Sequence, residues 1–81
     1  MAGVIVITGA GSGVGRATAR RFLEAGWRVA LAGRRREALE ETAEGHPEAL
    51  VQPTDVGAAD EVAALFDAAE ARWGRIDALF N

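Results

Sequence analysis

Apolar residues along the chain are concentrated in four short segments, at residues 4–7, 28–32, 49–52 and 76–80. The first and last of these segments carry apolar groups on both faces, which is typical of strands buried inside a parallel sheet. Pro53 directly follows the third segment and cannot donate a hydrogen bond to a strand ladder, so the third strand is predicted at a sheet edge. The pattern therefore predicts four strands.

The first stretch between predicted strands has the period of a helix. This helix is predicted to begin at Val14 and to end at Gly26, a typical residue for a helix C-terminus. One side carries Val14, Thr18, Phe22 and Ala25, and another side carries Arg16, Arg20 and Glu24.

Two further helices are predicted from the same periodicity and from their end signals. The second covers residues 35–44 and is terminated by Gly45 and Pro47. The third is predicted to use Gly57 as its N-cap and to continue to Gly74. Its apolar stripe consists of Val62, Leu65, Phe66, Ala69 and Trp73.

Strands and helices thus alternate in the order βαβαβαβ, with short connections. Right-handed crossovers convert such an order into an α/β fold, a doubly wound parallel sheet with helices on both faces. Because the last apolar segment is typical of an interior strand, residues 1–81 are interpreted as the N-terminal part of one longer domain.

Composition narrows the function classes. The 81 residues carry a net charge of -3, which disfavours nucleic acid and anionic membrane partners. Cys is absent, so thiol metal sites are excluded and no metal site is predicted. No apolar stretch is long enough to span a membrane, and a cytoplasmic protein is expected. Tyr is also absent, and every basic residue is Arg, so chemistry that needs Tyr or Lys cannot use these residues.

The loop after the first strand is rich in glycine, with the sequence Thr-Gly-Ala-Gly-Ser-Gly-Val-Gly at residues 8–15. Glycines permit positive φ and let a phosphate approach backbone N–H groups at the start of a helix. The alternative is a tight turn with no ligand. A P-loop is excluded because there is no Lys, and the spacing Gly-x-Gly-x-x-Gly does not fit.

The spacing that fits is Thr-Gly-x-x-x-Gly-x-Gly, formed by Thr8, Gly9, Gly13 and Gly15. With Asp55-Val56 after the third strand and the segment 76–81 ending in Asn81, the whole chain resembles the classical short-chain dehydrogenase/reductase family. The resemblance implies a Rossmann-like fold. It also implies that the catalytic Ser, Tyr and Lys of the family would follow residue 81, so no catalytic residue is assigned within this chain.

The resemblance further implies residue roles in cofactor binding. Gly9, Ser12, Gly13 and Val14 match the loop that holds the pyrophosphate and the adenosine ribose. Asp55 matches a residue that binds the adenine amino group, Val56 one that contacts the ring through its backbone, and Asn81 one that lies against the cofactor ribose. Gly15 and Thr8 match structural positions. For Asp55 the residues themselves leave open a purely turn-forming role.

The end of the second strand bears on cofactor choice. An NAD site places a carboxylate there, whereas this chain has Gly33 followed by Arg34, Arg35 and Arg36. Guanidinium groups suit a 2′-phosphate, so NADP is expected rather than NAD, with Arg34 and Arg35 in the site. The alternative, strongest for Arg36, is pairing with Glu40 on the helix.

These observations predict an NADP(H)-dependent oxidoreductase that transfers a hydride between nicotinamide and a carbonyl or alcohol substrate. A homo-oligomer is expected at full length. A non-catalytic nucleotide-binding module is the main alternative. A methyltransferase is disfavoured because Thr8 and Gly33 stand where such enzymes place acidic residues.

Overall fold

A computed structural model describes residues 2–81. Four strands and three helices alternate, as the periodicity predicts. They are β1 (Val4–Ile7), α1 (Gly13–Glu24), β2 (Arg28–Gly33), α2 (Arg36–Ala43), β3 (Ala49–Pro53), α3 (Ala59–Trp73) and β4 (Ala78–Phe80).

The four strands form one parallel sheet in the order β3-β2-β1-β4. Strand β1 lies between β2 and β4, and all four of its residues are buried. Strand β3 lies at one edge, where Pro53 pairs in register with Gly33. The edge position predicted from Pro53 is therefore confirmed.

Apolar groups cover both faces of this sheet, as in a doubly wound fold. On one face, residues of α1 and α2 pack with strand residues in a cluster of Ile5, Ile7, Ala10, Ala19, Leu23, Val29, Leu31, Leu39 and Ala43. On the other face, α3 packs in a cluster of Val6, Ala30, Ala32, Leu65 and Ala69. The predicted α/β Rossmann-like architecture is confirmed.

The predicted sides of α1 are partly wrong, although Phe22 does pack against the core cluster. Ala19 and Leu23 are its buried residues, whereas Val14 is 72% exposed. The reason is that α1 packs on two neighbours at once. Its apolar face meets the sheet, while Arg16 and Arg20, assigned to the polar side, bind across to α2.

Two predicted boundaries also differ from the structure. Gly57 is not the N-cap of α3, because its N–H is bound to the side chain of Asp55 in a turn, and Ala58 takes the cap position. Strand β4 begins at Ala78 rather than at residue 76, because the side chain of Asp77 takes the N–H of Val4 at the start of the β1–β4 pair. The apolar stripe predicted for α3 is confirmed by the burial of Leu65 and Ala69.

Candidate cofactor site

The glycine loop connects the end of β1 to the start of α1 and is fixed to both neighbouring strands. The Thr8 N–H donates to the Phe80 carbonyl at 3.0 Å, and the Ala10 N–H donates to the Ala32 carbonyl at 3.0 Å. Gly9 and Gly13 have φ of +61° and +55°, a left-handed conformation that side chains disfavour. The positive φ that glycine permits is therefore adopted at both positions.

Helix α1 begins with backbone donors that have no partner among residues 2–81. Ser12 is the N-cap in an extended conformation, and its side chain makes no capping bond. The first bond of the helix runs from the Arg16 N–H to the Ser12 carbonyl at 3.1 Å. Within residues 2–81, the N–H groups of Gly13, Val14 and Gly15 therefore lack acceptors. Free donors and the positive end of the helix dipole suit an anion.

Gly15 is required by a close approach between α1 and the loop. A Cβ atom at this position would overlap the Gly9 carbonyl oxygen and lie 2.6 Å from the Gly9 carbonyl carbon. These are backbone atoms that cannot rotate away. At Gly9 and Gly13, by contrast, a Cβ atom would meet no atom within 4 Å. Gly15 is therefore a packing glycine, and the other two leave open space.

A pocket of about 320 Å³ opens between the glycine loop, the end of β2 and the start of α2. It is lined by Gly9, Gly11, Ser12, Gly33, Arg34, Arg35, Ala38 and Leu39. Four of the predicted cofactor-binding residues thus share one cavity: Gly9, Ser12, Arg34 and Arg35. The other predicted residues, Gly13, Val14, Asp55, Val56 and Asn81, do not line it.

Arg34 and Asp55 meet beside this pocket, because they follow the carboxyl ends of two adjacent parallel strands. Arg34 Nη2 lies 3.6 Å from Asp55 Oδ1, and the two side chains are 79% and 44% exposed. The same oxygen accepts the Gly57 N–H at 2.9 Å. Asp55 therefore forms the turn that the sequence left open, with only one of its carboxylate oxygens engaged in these contacts.

The other two arginines of the run are placed differently. Arg35 is the N-cap residue of α2. Arg36 lies 3.8 Å from Glu40 one helical turn later, so the pairing inferred for Arg36 from its spacing is confirmed. Of the three arginines, Arg34 and Arg35 remain at the pocket.

Asn81 and Thr8 connect the end of β4 to the loop. The Thr8 hydroxyl donates to Asn81 Oδ1 at 2.7 Å. This bond places Asn81 beside the glycine loop although it is 73 residues away in sequence. Val56, three residues after the end of β3, has an exposed side chain.

Asp77 lies at the opposite end of the β1–β4 pair, where β1 begins. Its carboxylate accepts the Val4 N–H at 2.8 Å and a short bond of 2.6 Å from Arg75. The hydrogen bond from Arg75, followed by that from Val4, lowers the pKa of Asp77 below its ordinary value of 3.8. Asp77 therefore contributes a charged link that holds β4 in register with β1.

Two residues that support the loop were missed by sequence reasoning. The guanidinium of Arg16 contacts the Gly11 carbonyl, and the buried hydroxyl of Thr42 contacts the Ala10 carbonyl. For Thr42 a signal was available, since it falls three residues after Leu39 on the apolar stripe of α2, where a polar side chain needs a partner. For Arg16 the helical periodicity gave no signal.

Other site types find no support in residues 2–81. In this range no three His, Asp or Glu side chains lie together in a way that could hold a metal ion. None of the three helices is both long enough and apolar enough to cross a membrane.

Comparison with known proteins gives a consistent result. The sequence pattern of the short chain dehydrogenase family matches residues 3–81. An uncharacterised oxidoreductase of Staphylococcus saprophyticus is 42% identical over an alignment of 80 positions, and this alignment covers 96% of this chain and 32% of that protein.

Solved structures share the fold. One is the 3-ketoacyl-(acyl-carrier-protein) reductase from Brucella melitensis, complexed with NADH, which matches with a TM-score of 0.90 at 36% identity. The match covers 94% of this chain and 32% of the reductase chain. An actinorhodin polyketide ketoreductase with NADPH matches with a TM-score of 0.85 at 36% identity. This match covers 96% of this chain and 31% of the ketoreductase chain. The chain thus spans about a third of the length of each relative. Since the family pattern extends over nearly every residue and the sheet and loop agree with it, the chain belongs to the short-chain dehydrogenase family.

Proposed function

We propose that residues 1–81 are the N-terminal part of an NADP(H)-dependent oxidoreductase and bind the adenosine and pyrophosphate part of the cofactor. The observation that carries this proposal is the group of unpartnered N–H donors at the start of α1, next to a pocket with two arginines. Donors without acceptors and two guanidinium groups beside them together favour a ligand that carries phosphate.

The residues present fit the pyrophosphate. Gly9 and Gly13 have no side chain, and the space that a Cβ atom would fill is open, so phosphate oxygens can reach the backbone. The N–H groups of Gly13 and Val14 would donate to these oxygens, and Ser12 adds a hydroxyl at the N-cap. Family membership supports this assignment and disfavours a methyltransferase.

The preference for NADP over NAD is proposed from charge at the pocket. Gly33 offers no carboxylate to the adenosine ribose, and Arg34 and Arg35 line the same cavity. A 2′-phosphate would accept hydrogen bonds from the exposed guanidinium of Arg34, whose one salt bridge within residues 2–81 is the 3.6 Å contact with Asp55. Arg36 is left out, because it pairs with Glu40.

The remaining contacts are proposed at the carboxyl ends of β3 and β4. Asp55 would accept a hydrogen bond from the adenine amino group, and Val56 would contact the ring through its backbone. Asn81 would lie against the cofactor ribose, where its bond to Thr8 orients the amide.

When bound, the nicotinamide supplies the hydride that passes to or from a carbonyl or alcohol carbon. Reduction also needs a proton donor at the substrate oxygen, and this segment contains neither Tyr nor Lys for that task. We therefore place the proton-donating residues outside residues 1–81 and treat these residues as part of one larger domain. A cytoplasmic location and a homo-oligomer belong to the same proposal.

The test is titration of the full-length protein with NADP⁺ and NAD⁺, followed by NADPH oxidation with a panel of ketones and aldehydes. Wild-type protein should bind NADP⁺ more tightly. Arg34→Ala should weaken NADP⁺ binding about ten- to a hundredfold, because charged hydrogen bonds contribute about 1.5–3 kcal/mol. Arg36→Ala is the matched control and should leave the preference unchanged.

A second variant tests the other side of the preference. Gly33→Asp should shift binding towards NAD⁺, and the new Cβ would lie 3.2 Å from a Leu39 methyl group, which would have to shift by a few tenths of an ångström. Tighter wild-type binding of NAD⁺ would contradict the NADP assignment. Dinucleotide binding without turnover of any substrate in the panel would favour the non-catalytic module.

A further inference from the structure

Arg16 occupies a position between the glycine loop and α2 that its place in the helical pattern did not indicate. Nη2 donates to the Gly11 carbonyl at 2.7 Å and to the Ala38 carbonyl at 3.1 Å. Nε donates to the Thr42 hydroxyl at 2.9 Å, and Glu41 supplies a longer contact of 3.3 Å. The side chain is 27% exposed, so much of this network is shielded from water.

Thr42 extends the network to the preceding loop residue. Its side chain is 1% exposed, and its hydroxyl lies 2.7 Å from the Ala10 carbonyl. The carbonyl groups of two consecutive loop residues are therefore both held by side chains, that of Gly11 by Arg16 of α1 and that of Ala10 by Thr42 of α2.

Fixing a carbonyl also fixes the N–H of the following residue, because the peptide unit is planar and the two groups point in opposite directions. The N–H groups controlled in this way belong to Gly11 and Ser12. Both residues line the pocket, and within the described chain neither N–H has a hydrogen-bond partner. The network thus turns two further donors away from α2.

We infer that Arg16, acting with Thr42, is a positioning residue for the cofactor phosphates, which aims the loop donors without touching the ligand. This inference rests on the proposed dinucleotide function. It predicts that loss of Arg16 weakens NADP⁺ and NAD⁺ by the same factor, since both carry the pyrophosphate. Loss of Arg34 changes the ratio between them instead.

A purely structural role would give a different result, and the chain provides a control for it. Arg20 lies one turn later on α1 and also binds α2, donating to the Glu41 carbonyl at 2.9 Å and lying 3.7 Å from Glu44. Arg20 makes no contact with the glycine loop within residues 2–81. Both arginines hold α1 to α2, and only Arg16 holds the loop.

The experiment compares Arg16→Met, Arg16→Lys, Arg20→Met and Thr42→Val in the full-length protein. Dissociation constants for NADP⁺ and NAD⁺ are measured by titration, and stability is measured by urea unfolding. Arg16→Met should weaken both dinucleotides about tenfold or more, the size expected for lost charged hydrogen bonds. Arg16→Lys should restore part of the lost affinity, because it keeps the positive charge. The restoration should be incomplete, since an ammonium group lacks the rigid fork with which the guanidinium binds both the Gly11 carbonyl and the Thr42 hydroxyl.

Arg20→Met should leave both dissociation constants within about twofold of wild type even where its stability falls as far as that of Arg16→Met. Equal affinities for Arg16→Met and Arg20→Met would overturn the inference. If Arg16→Met does not fold, Thr42→Val decides, and unchanged dinucleotide affinity in that variant would overturn it. Failure of wild-type protein to bind either dinucleotide would instead overturn the proposed function.

Discussion

The close approach of α1 to the glycine loop makes Gly15→Ala a sharp test of the fold. The added methyl group would overlap the Gly9 carbonyl and lie 3.2 Å from Ala10 Cα. Since every one of these neighbours is backbone, relief requires α1 to move away from the loop. That movement would also displace the N–H donors of Gly13 and Val14.

The change in the free energy of unfolding caused by Gly15→Ala is the sum of two opposing contributions. Ala favours a helix over Gly by up to about 1 kcal/mol. Overpacking against rigid neighbours costs about 1–3 kcal/mol, and an overlap with a backbone oxygen belongs at the upper end. We therefore expect Gly15→Ala to lower the free energy of unfolding by about 2 kcal/mol and to weaken dinucleotide binding.

Urea unfolding and cofactor titration of the full-length protein measure both effects. Gly13 provides the control, because a Cβ atom there meets open space and only its φ of +55° is unfavourable. Gly15→Ser should lower the free energy of unfolding more than Gly15→Ala does. Gly13→Ser should lower it no more than Gly13→Ala does. A Gly15→Ala variant as stable as wild type would refute the packing argument.

Three further predictions concern the loop, the β4 end and the chemistry. Gly13→Val should abolish detectable NADP(H) binding by titration and retain the fold by circular dichroism, since the side chain fills the space proposed for phosphate; unchanged affinity would remove the phosphate assignment. Asp77→Asn should destabilise the protein at neutral pH. Because the folded-state pKa of Asp77 is lowered below 3.8, its contribution is present above that value and lost as pH falls through the folded-state pKa. Wild-type and variant urea midpoints should then converge in acid, and a constant gap down to about pH 2 would contradict this assignment. Residues 1–81 expressed alone should not oxidise NADPH with any ketone or aldehyde, because they contain no Tyr or Lys; turnover would require another acid.

Element types could be predicted from periodicity because each depends on its own residues, whereas two boundaries depend on hydrogen bonds between a side chain and a backbone N–H group. The N–H of Val4 binds the Asp77 side chain, so a carboxylate replaces a strand carbonyl at the start of the β1–β4 pair. Asp55 holds the N–H of Gly57 and delays the start of α3. In both cases a side chain competes with backbone pairing, which periodicity does not register.

The candidate site also combines local features, which the sequence predicts, with tertiary contacts, which it does not. The glycine conformations at positions 9 and 13 are local requirements, and the spacing indicated them. The pairing of Arg36 with Glu40 is local as well. The contact between Arg34 and Asp55 requires β2 to lie next to β3, and that of Arg16 with the loop requires α2 to lie beside α1. A long side chain can reach several neighbours, so its direction follows from tertiary packing.

The pairing of β1 with β4 has a consequence for the order of folding. The Thr8 N–H and hydroxyl both find their partners at the far end of the sequence, in Phe80 and Asn81. Contacts of such long sequence separation form late, because chain closure must precede any gain from them. The loop therefore acquires its last anchor only when the central strand has both neighbours. A bound dinucleotide, as proposed above, would then slow local opening of the β1–β4 pair and link its hydrogen-exchange rate to cofactor concentration.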